Sequence, residues 1–465
     1  MRRIIAAVLL CFPFAPLVVH AQSAESEDTS PVFGVVEGYY RPDEAAELGA
    51  EWDRIVFEWY DFQPNNADEF ITDSIEDTWL TDAVDANRQI VGLIKGTPSW
   101  ASESGTPAGV PFGIELAFDD PDNVFGSFVE RLVDHYARLG IHHWIVWNEP
   151  DIRPGEGIVE FEGGVEDYAL LLRTAYNAVK AADPTAHVQM AGLTWWYDVN
   201  GYREPYLQRL IPALLAIGGS SLNDHYFDGI SLHIYFTTSS VSDIILANER
   251  ILDNFGLGYK EVWLNEFNAS PRTDPEAAID AAFQVSLEQQ ANFIVQAAAL
   301  ALALDVDRMA VYRLYDNDFT PGLSEPWGLV RGDGSLRPAY HAYQNVIQSF
   351  ARATQITRSS NRDAEVITFF YPDHTLYALW NRGVETGDFL VDVDDRTNAI
   401  EVTDVLGEPI DAEIEDGRAV IPAPPAEMID MNFVVVAGAV RLVEIPGAVR
   451  PVWYRPTDGE EIRLR

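Results

Sequence analysis

Between Pro31 and about Phe350, short apolar runs alternate eight times with longer amphipathic segments. That rhythm builds βα units around a parallel sheet. The predicted strands cover residues 32–38, 54–60, 89–95, 143–147, 187–193, 229–235, 261–266 and 308–314. Helical patterns between them include 124–139, 165–182, 206–217 and 278–304. Eight parallel strands over about 320 residues fit a (β/α)8 TIM barrel with loop insertions. A doubly wound open sheet is the competitor, but no Gly-rich dinucleotide turn follows the first strand.

After Phe350 the texture changes to short strand-like runs, at 366–371, 375–380, 389–393, 400–405 and 432–436. Turn signals separate them, Asn381-Arg382-Gly383 and Glu415-Asp416-Gly417 among them. The expected layout is therefore a barrel over 31–350 and an antiparallel β-sandwich over 351–465. The sandwich is read as a structural partner of the barrel.

The first 21 residues read as a secretory signal. Arg2 and Arg3 form its basic start, 4–19 its apolar run, and Val19-His20-Ala21 a small-residue cleavage site. Residues 22–30 form a polar linker. The only cysteine, Cys11, lies inside the signal and follows Leu10 rather than a small residue, which argues against a lipid anchor. A mature chain cut near Ala21 would have no disulfide, thiol nucleophile or cysteine metal site. The expected location is secreted or periplasmic. No later segment is long and apolar enough to span a membrane, so no stable membrane insertion is expected.

Net charge is −42, from 73 acidic and 31 basic residues, and only Lys95, Lys180 and Lys260 are lysines. Such a surface repels nucleic acid and anionic membranes and suits a neutral ligand. The same bias also arises from adaptation to salt, independently of any substrate. His142-His143 precedes the fourth strand, and there is no HExxH pattern, Cys/His cluster or phosphate loop. No metal or cofactor is expected.

Barrel chemistry sits at strand C-terminal ends. Those ends carry Glu37; Trp59; Trp100; Asn148 and Glu149; Trp195; His233 and Tyr235; Glu266; and, in the loop after the last strand, Trp327. Aromatic faces stack on the C–H faces of sugar rings, and carboxylates and amides bind hydroxyls. Any one of these aromatics alone reads equally as packing; together they ring one face. Two strands stop on a glutamate, in Trp147-Asn148-Glu149-Pro150 and in Trp263-Leu264-Asn265-Glu266-Phe267. Paired carboxylates across a cleft are what acid-assisted glycoside cleavage requires. Asn268-Ala269-Ser270 matches a glycosylation sequon, but a glycan there would block the second glutamate.

Asn148-Glu149-Pro150 and Glu266 resemble the signature of the clan A (β/α)8 retaining glycoside hydrolases. Gly96-Thr97-Pro98-Ser99-Trp100-Ala101 and Trp327-Gly328-Leu329-Val330 are similar to stretches of glycoside hydrolase family 39 and its neighbours, as is the run from Arg337 to Tyr343. The resemblance implies that Glu149 is the acid/base and Glu266 the nucleophile. It also implies that Asn148 binds the sugar 2-hydroxyl and that Tyr235 holds Glu266. His233 lies on the same strand, where it touches either the pair, the substrate or the core. Glu37, Trp59, Trp100, Trp195 and Trp327 are candidate sugar-subsite residues. The clan often places a strand-2 arginine near the nucleophile, but Arg54 falls at the start of its strand and is left out of the expected site.

The expected activity is hydrolysis of a β-linked oligo- or polysaccharide by double displacement through a covalent glycosyl-enzyme. Glu266, ionised, attacks the anomeric carbon; Glu149, kept protonated partly by the charge of Glu266, serves as acid and then as base. Two alternatives stand beside it: a transglycosylase that remodels surface glycan, and a carbohydrate-binding barrel without catalysis. The presence of both glutamates argues against the last.

Overall fold

The computed structural model describes residues 31–279, 283–316, 325–393, 400–430, 433–434, 436–447 and 449–464. The predicted signal and linker, 1–30, lie outside the described residues.

Eight strands close a barrel in chain order: β1 Phe33–Val36, β2 Trp52–Glu58, β3 Gln89–Lys95, β4 His143–Asn148, β5 His187–Leu193, β6 Gly229–Tyr235, β7 Glu261–Asn268 and β8 Arg308–Val311. The helices are α1 Pro42–Leu48, α2 Trp59–Phe62, α3 Asp77–Asp85, α4 Val124–Ala137, α5 Val165–Ala182, α6 Trp196–Asn200, α7 Tyr206–Ala216, α8 Thr238–Asn254, α9 Leu287–Leu302 and α10 Pro338–Phe350. The expected helix over 278–304 begins only at Leu287, because Ser286 caps it. The Ser286 hydroxyl accepts from Gln289 N–H, and the Gln289 side chain accepts in return from Ser286 N–H.

The barrel strands are apolar on both faces because each is covered twice, by helices outside and by packed side chains inside. Val36, Trp52, Leu93, Ile145, Trp263 and Ala310 fill part of the interior. Each fully buried large apolar side chain contributes roughly 1.5–3 kcal/mol. Gly34 in β1 makes room for this layer, since a Cβ there would lie 2.3 Å from the Trp52 ring.

The C-terminal part forms two five-stranded antiparallel sheets. Its strands are β9 Gln355–Ser360, β10 Ala364–Phe370, β11 His374–Asn381, β12 Gly387–Asp392, β13 Glu401–Thr403, β14 Glu413–Glu415, β15 Arg418–Ala423, β16 Met428–Asp430, β17 Phe433–Val434, β18 Arg441–Pro446, β19 Val452–Pro456 and β20 Ile462–Leu464. One sheet runs β13-β18-β11-β10-β9 and the other β14-β15-β12-β19-β20, with β16 and β17 pairing separately. The sandwich adheres to the barrel through apolar and polar contacts. Phe350 of α10 stacks on Phe369 at 4.2 Å. Buried Gln296 of α9 donates to Gly438 O at 2.8 Å, and buried Asn292 accepts from Val440 N–H at 2.7 Å.

Candidate active site

Glu149 and Glu266 converge at the C-terminal mouth of the barrel. One oxygen of each carboxylate and one ring nitrogen of His233 all lie within 4.8 Å of one another. Irregularities in two strands bring them there. β5 advances three residues from Gln189 to Gly192 while β6 advances two, and β7 advances three from Leu264 to Phe267 while β8 advances two. Irregularities of this kind re-aim side chains at barrel rims. After the shifts, His233 pairs across the ladder with Glu266. Gly192, opposite Asn148 on β4, leaves a gap for the imidazole: a Cβ there would lie 1.9 Å from His233 Nε2.

His233 bridges the two carboxylates. Its Nδ1 is 2.6 Å from Glu149 Oε1 and 3.4 Å from Glu266 Oε2. Burial works against the imidazolium, but Glu266 and then Glu149 outweigh it, so His233 titrates above its ordinary range. Glu266 is 5 % exposed. Burial pushes its carboxyl up, yet the His233 and Arg54 charges and the Tyr235 hydroxyl overcome this and hold it below the usual carboxylate range. The Tyr235 hydroxyl donates to Glu266 Oε2 through a very short contact. Burial and the adjacent Glu266 raise the phenol well above its ordinary value, so it stays a donor.

Arg54 belongs to this cluster, contrary to the reading from strand position. Its Nη2 lies 2.5 Å from Glu266 Oε1, and the side chain is buried. The reason is the stagger of a closed barrel. Phe267 pairs with Val311, Val311 with Val35, and Val35 with Asp53. The start of β2 is thereby level with the end of β7.

Several further residues surround the pair. Glu37, with φ of 62°, accepts from Arg313 Nη1 at 2.9 Å. Lys95 Nζ at the end of β3 lies 2.7 Å from Glu160 Oε2 and 3.7 Å from Glu58 Oε1. Asn148 is half-buried beside Glu149. Trp327 packs on Tyr235 at 5.0 Å and on Tyr312 at 6.0 Å. It is steered by Asn268, whose side-chain amide donates to Tyr312 O at 2.6 Å and to Trp327 O at 2.8 Å. Asn268 is fully buried, which closes the sequon to a glycan. Trp100 is half-buried, its Nε1 donating to Gln63 O at 2.7 Å. Trp195 is half-buried at the end of β5.

Trp59 is not a subsite residue. It is fully buried, stacks on Phe128 at 5.2 Å and donates to Gln63 Oε1 at 2.7 Å. α2 begins at Trp59 itself and turns the ring under α4. Sequence reading missed Arg313, Lys95 and Asn268. The strand-end positions of Lys95, one of three lysines, and of Asn268 gave a signal for those two.

Glu149, His233 and Glu266 are also the group of described side chains whose ligand atoms come close enough for a metal ion. Their oxygens are already engaged, however. Glu149 holds the imidazole, and Glu266 holds Tyr235 and Arg54. A cation placed among them would face the buried Arg54 guanidinium at close range. The donor set fits a hydrogen-bonded proton network better than a metal centre.

The sequence matches no protein-family model and no curated protein. Solved structures do match. A family 39 glycoside hydrolase from the gut symbiont Bacteroides cellulosilyticus WH2 superposes with a TM-score of 0.63 at 16% identity, over 89% of this chain and 80% of that one. A glucosidase from Croceicoccus marinus gives a TM-score of 0.55 at 15% identity, over 88% and 92%. The family 30 subfamily 8 xylanase Xyn30A of Clostridium acetobutylicum gives 0.54 at 9% identity, over 90% and 97%. The likeness establishes the fold: a (β/α)8 barrel with a C-terminal β-sandwich, of the kind found in these glycoside hydrolases, family 39 among them.

Proposed function

We propose that this protein is a retaining β-glycoside hydrolase acting on a β-linked oligo- or polysaccharide. The observation that carries the reading is the convergence of Glu149 from β4 and Glu266 from β7, with carboxylate oxygens less than 4.8 Å apart. Retaining enzymes set their two carboxyl groups about 5–5.5 Å apart, whereas inverting enzymes leave roughly 6.5–9.5 Å for a water. The neighbours' glycoside hydrolase chemistry agrees with this reading.

Roles follow from the surroundings. Glu266 is buried among two cations and a phenol, which keep it ionised for attack on the anomeric carbon. Glu149 delivers a proton to the departing oxygen. Esterification of Glu266 then removes its negative charge, and Glu149 accepts a proton from the incoming water. The His233 contact holds Glu149 in place through both half-reactions. Asn148, beside Glu149, meets the sugar 2-hydroxyl, and Glu37, Trp100, Trp195 and Trp327 are proposed subsite residues. Export of the chain rests on the signal-like residues 1–21 and is part of the same proposal.

The test is hydrolysis of a panel of aryl β-glycosides, β-glucans, xylans and bacterial exopolysaccharides by wild type, Glu149→Gln and Glu266→Gln. Wild type should cleave at least one substrate, and each variant should lose about 10²–10⁴-fold or more. Equal glycan binding by all three proteins with no hydrolysis by any would establish a binding barrel instead.

A further inference from the structure

The two glutamates divide the barrel mouth into two arcs of different chemistry. The arc from β8 through β1, β2 and β3 carries ion pairs: Glu37 with Arg313, and Lys95 with Glu58 and Glu160. The arc of β5 and β6 carries a cavity of about 510 Å³, within the roughly 300–1,000 Å³ of small-molecule sites. Glu149 borders that cavity and Glu266 does not. An acid delivers its proton to the departing group, so a space that Glu149 borders, and that meets Glu266 only through its neighbours His233 and Tyr235, is where that group sits.

The walls are aromatic. Trp196 and Tyr197 of α6 form one side, and Phe236 and Phe283 the other. Apart from Glu149 and His233, the polar groups bordering the cavity are those of Thr194, Asn200, Tyr235 and Thr237, with the Tyr197 hydroxyl and the Trp196 indole N–H. Thr194 is already engaged, its hydroxyl donating to Asp151 Oδ2 at 2.8 Å. Tyr235 is engaged with Glu266. Aromatic surface therefore dominates the cavity walls, whereas the opposite arc carries charged side chains.

Both walls are held in place. Asp198 of α6 is fully buried and binds Arg203 at 2.7 Å and Arg209 at 2.9 Å, and Arg203 also pairs with Glu156 of the β4–α5 loop. Phe236 adopts φ of 65°, a conformation that is strained for a bulky residue. Its backbone N–H donates to Asn268 O at 2.9 Å, and the Arg272 guanidinium covers its ring at 4.3 Å. Trp196, by contrast, is 41% exposed, an aromatic surface left open beside an acid.

From this asymmetry we infer that the cavity is a leaving-group subsite for an apolar, ring-shaped aglycone, with Trp196 and Phe236 as its selectivity determinants. The inference rests on the proposed retaining β-glycosidase chemistry, and it replaces the oligo- or polysaccharide of that proposal with a β-glycoside of a non-sugar alcohol. The polar arc takes the sugar, and the group released is an aromatic or alicyclic alcohol rather than a further sugar unit.

The test compares three substrates that share the glycon best accepted by wild type: the benzyl β-glycoside, the β-linked disaccharide and the glycosyl fluoride. Benzyl alcohol and a sugar hydroxyl are comparable as leaving groups, and fluoride leaves the cavity empty. For wild type, kcat/KM for the benzyl glycoside should exceed that for the disaccharide by about 10-fold or more. Loss of a contact worth 1–3 kcal/mol corresponds to about 10–200-fold in selectivity. In Trp196→Ala and in Phe236→Ala the ratio of benzyl glycoside to fluoride kcat/KM should therefore fall at least about 10-fold. An unchanged ratio in both variants, or a disaccharide preferred by wild type, overturns the inference while leaving the hydrolase reading intact. Failure of wild type to cleave the fluoride overturns both.

Discussion

Arg54 reaches Glu266 from β2, three strands round the barrel from β7, its Nη2 lying 2.5 Å from Oε1. The contact neutralises a carboxylate buried inside a protein, where an unpaired charge is costly. Arg54→Met should destabilise the fold by roughly 3–5 kcal/mol, because the remaining Glu266 charge loses its partner. The check is urea unfolding at neutral pH. Replacing both partners together, Arg54→Met with Glu266→Gln, should restore much of the loss. A double variant no more stable than Arg54→Met would show that the pair is not coupled.

The pH dependence follows from the same cluster. Glu266 is held below its ordinary value of 4.5, so the acidic limb of kcat/KM should lie below pH 4.5. His233→Asn removes the foremost attraction that opposes burial at Glu266. The Glu266 carboxyl must then rise and the acidic limb must move to higher pH. A limb that stays in place would remove the imidazolium from this account. Because the groups interact, the profile reports the cluster rather than one residue.

Gly192 should be as sensitive as the histidine it accommodates. A Cβ at this position falls 1.9 Å from His233 Nε2, and the imidazole would have to leave its place between the glutamates. Gly192→Ala should lower kcat/KM by an amount similar to His233→Ala, about 10²-fold, and the double variant should add little. Additive losses would mean that the glycine acts elsewhere.

A second buried ionic network supports the loop that carries Trp327. Arg337, fully buried, binds Asp316 at 2.6 Å and Asp274 at 2.9 Å, and Arg331 binds Asp274 at 2.8 Å. Arg337 also donates to Gly328 O, next to Trp327. Arg337→Met should destabilise by about 3–5 kcal/mol and raise KM more than it lowers kcat, since the loss is of subsite shape. Thermal melts together with Michaelis kinetics check both parts.

Asp53 supplies a pH-dependent term in stability. Burial raises its carboxyl from 3.8 to about 7, against Arg88 and the Gly38 N–H. A folded value above the unfolded one means stability that is fully present below pH 3.8 and is lost as pH rises through about 7. Glu266 has the opposite sign: its contribution is present above 4.5 and is lost as pH falls through its lower folded value. Asp53→Asn should therefore flatten the decline of stability between about pH 4 and pH 7, as read by denaturant midpoints across that range.

Much of the fold was legible because barrel strands are doubly buried. Gln89–Lys95, His187–Leu193 and Gly229–Tyr235 coincide with their apolar runs, and the last residues of β4 and β7 led directly to the two glutamates. What escaped depends on closure. Arg54 sits early in its strand, and only the stagger that links Phe267 to Asp53 brings it level with Glu266. Trp59 looks like a rim aromatic by position, yet the immediate start of α2 folds it beneath Phe128. Asn268 reads as a sequon, and its role in holding Trp327 depends on a loop from a different strand. In the sandwich, the β14–β15 hairpin was visible only as its Asp416-Gly417 turn. β14 is too short and too exposed to show an alternating pattern.

The most direct measurement is trapping of the covalent intermediate. Wild-type protein would be incubated with a 2-deoxy-2-fluoro glycosyl fluoride of the accepted glycon, digested with protease and analysed by peptide mass spectrometry. One added sugar is expected, carried by Glu266 and absent from Glu266→Gln. Inactivation with the sugar on another residue, or turnover that releases the inverted anomer with no adduct, would contradict this expectation.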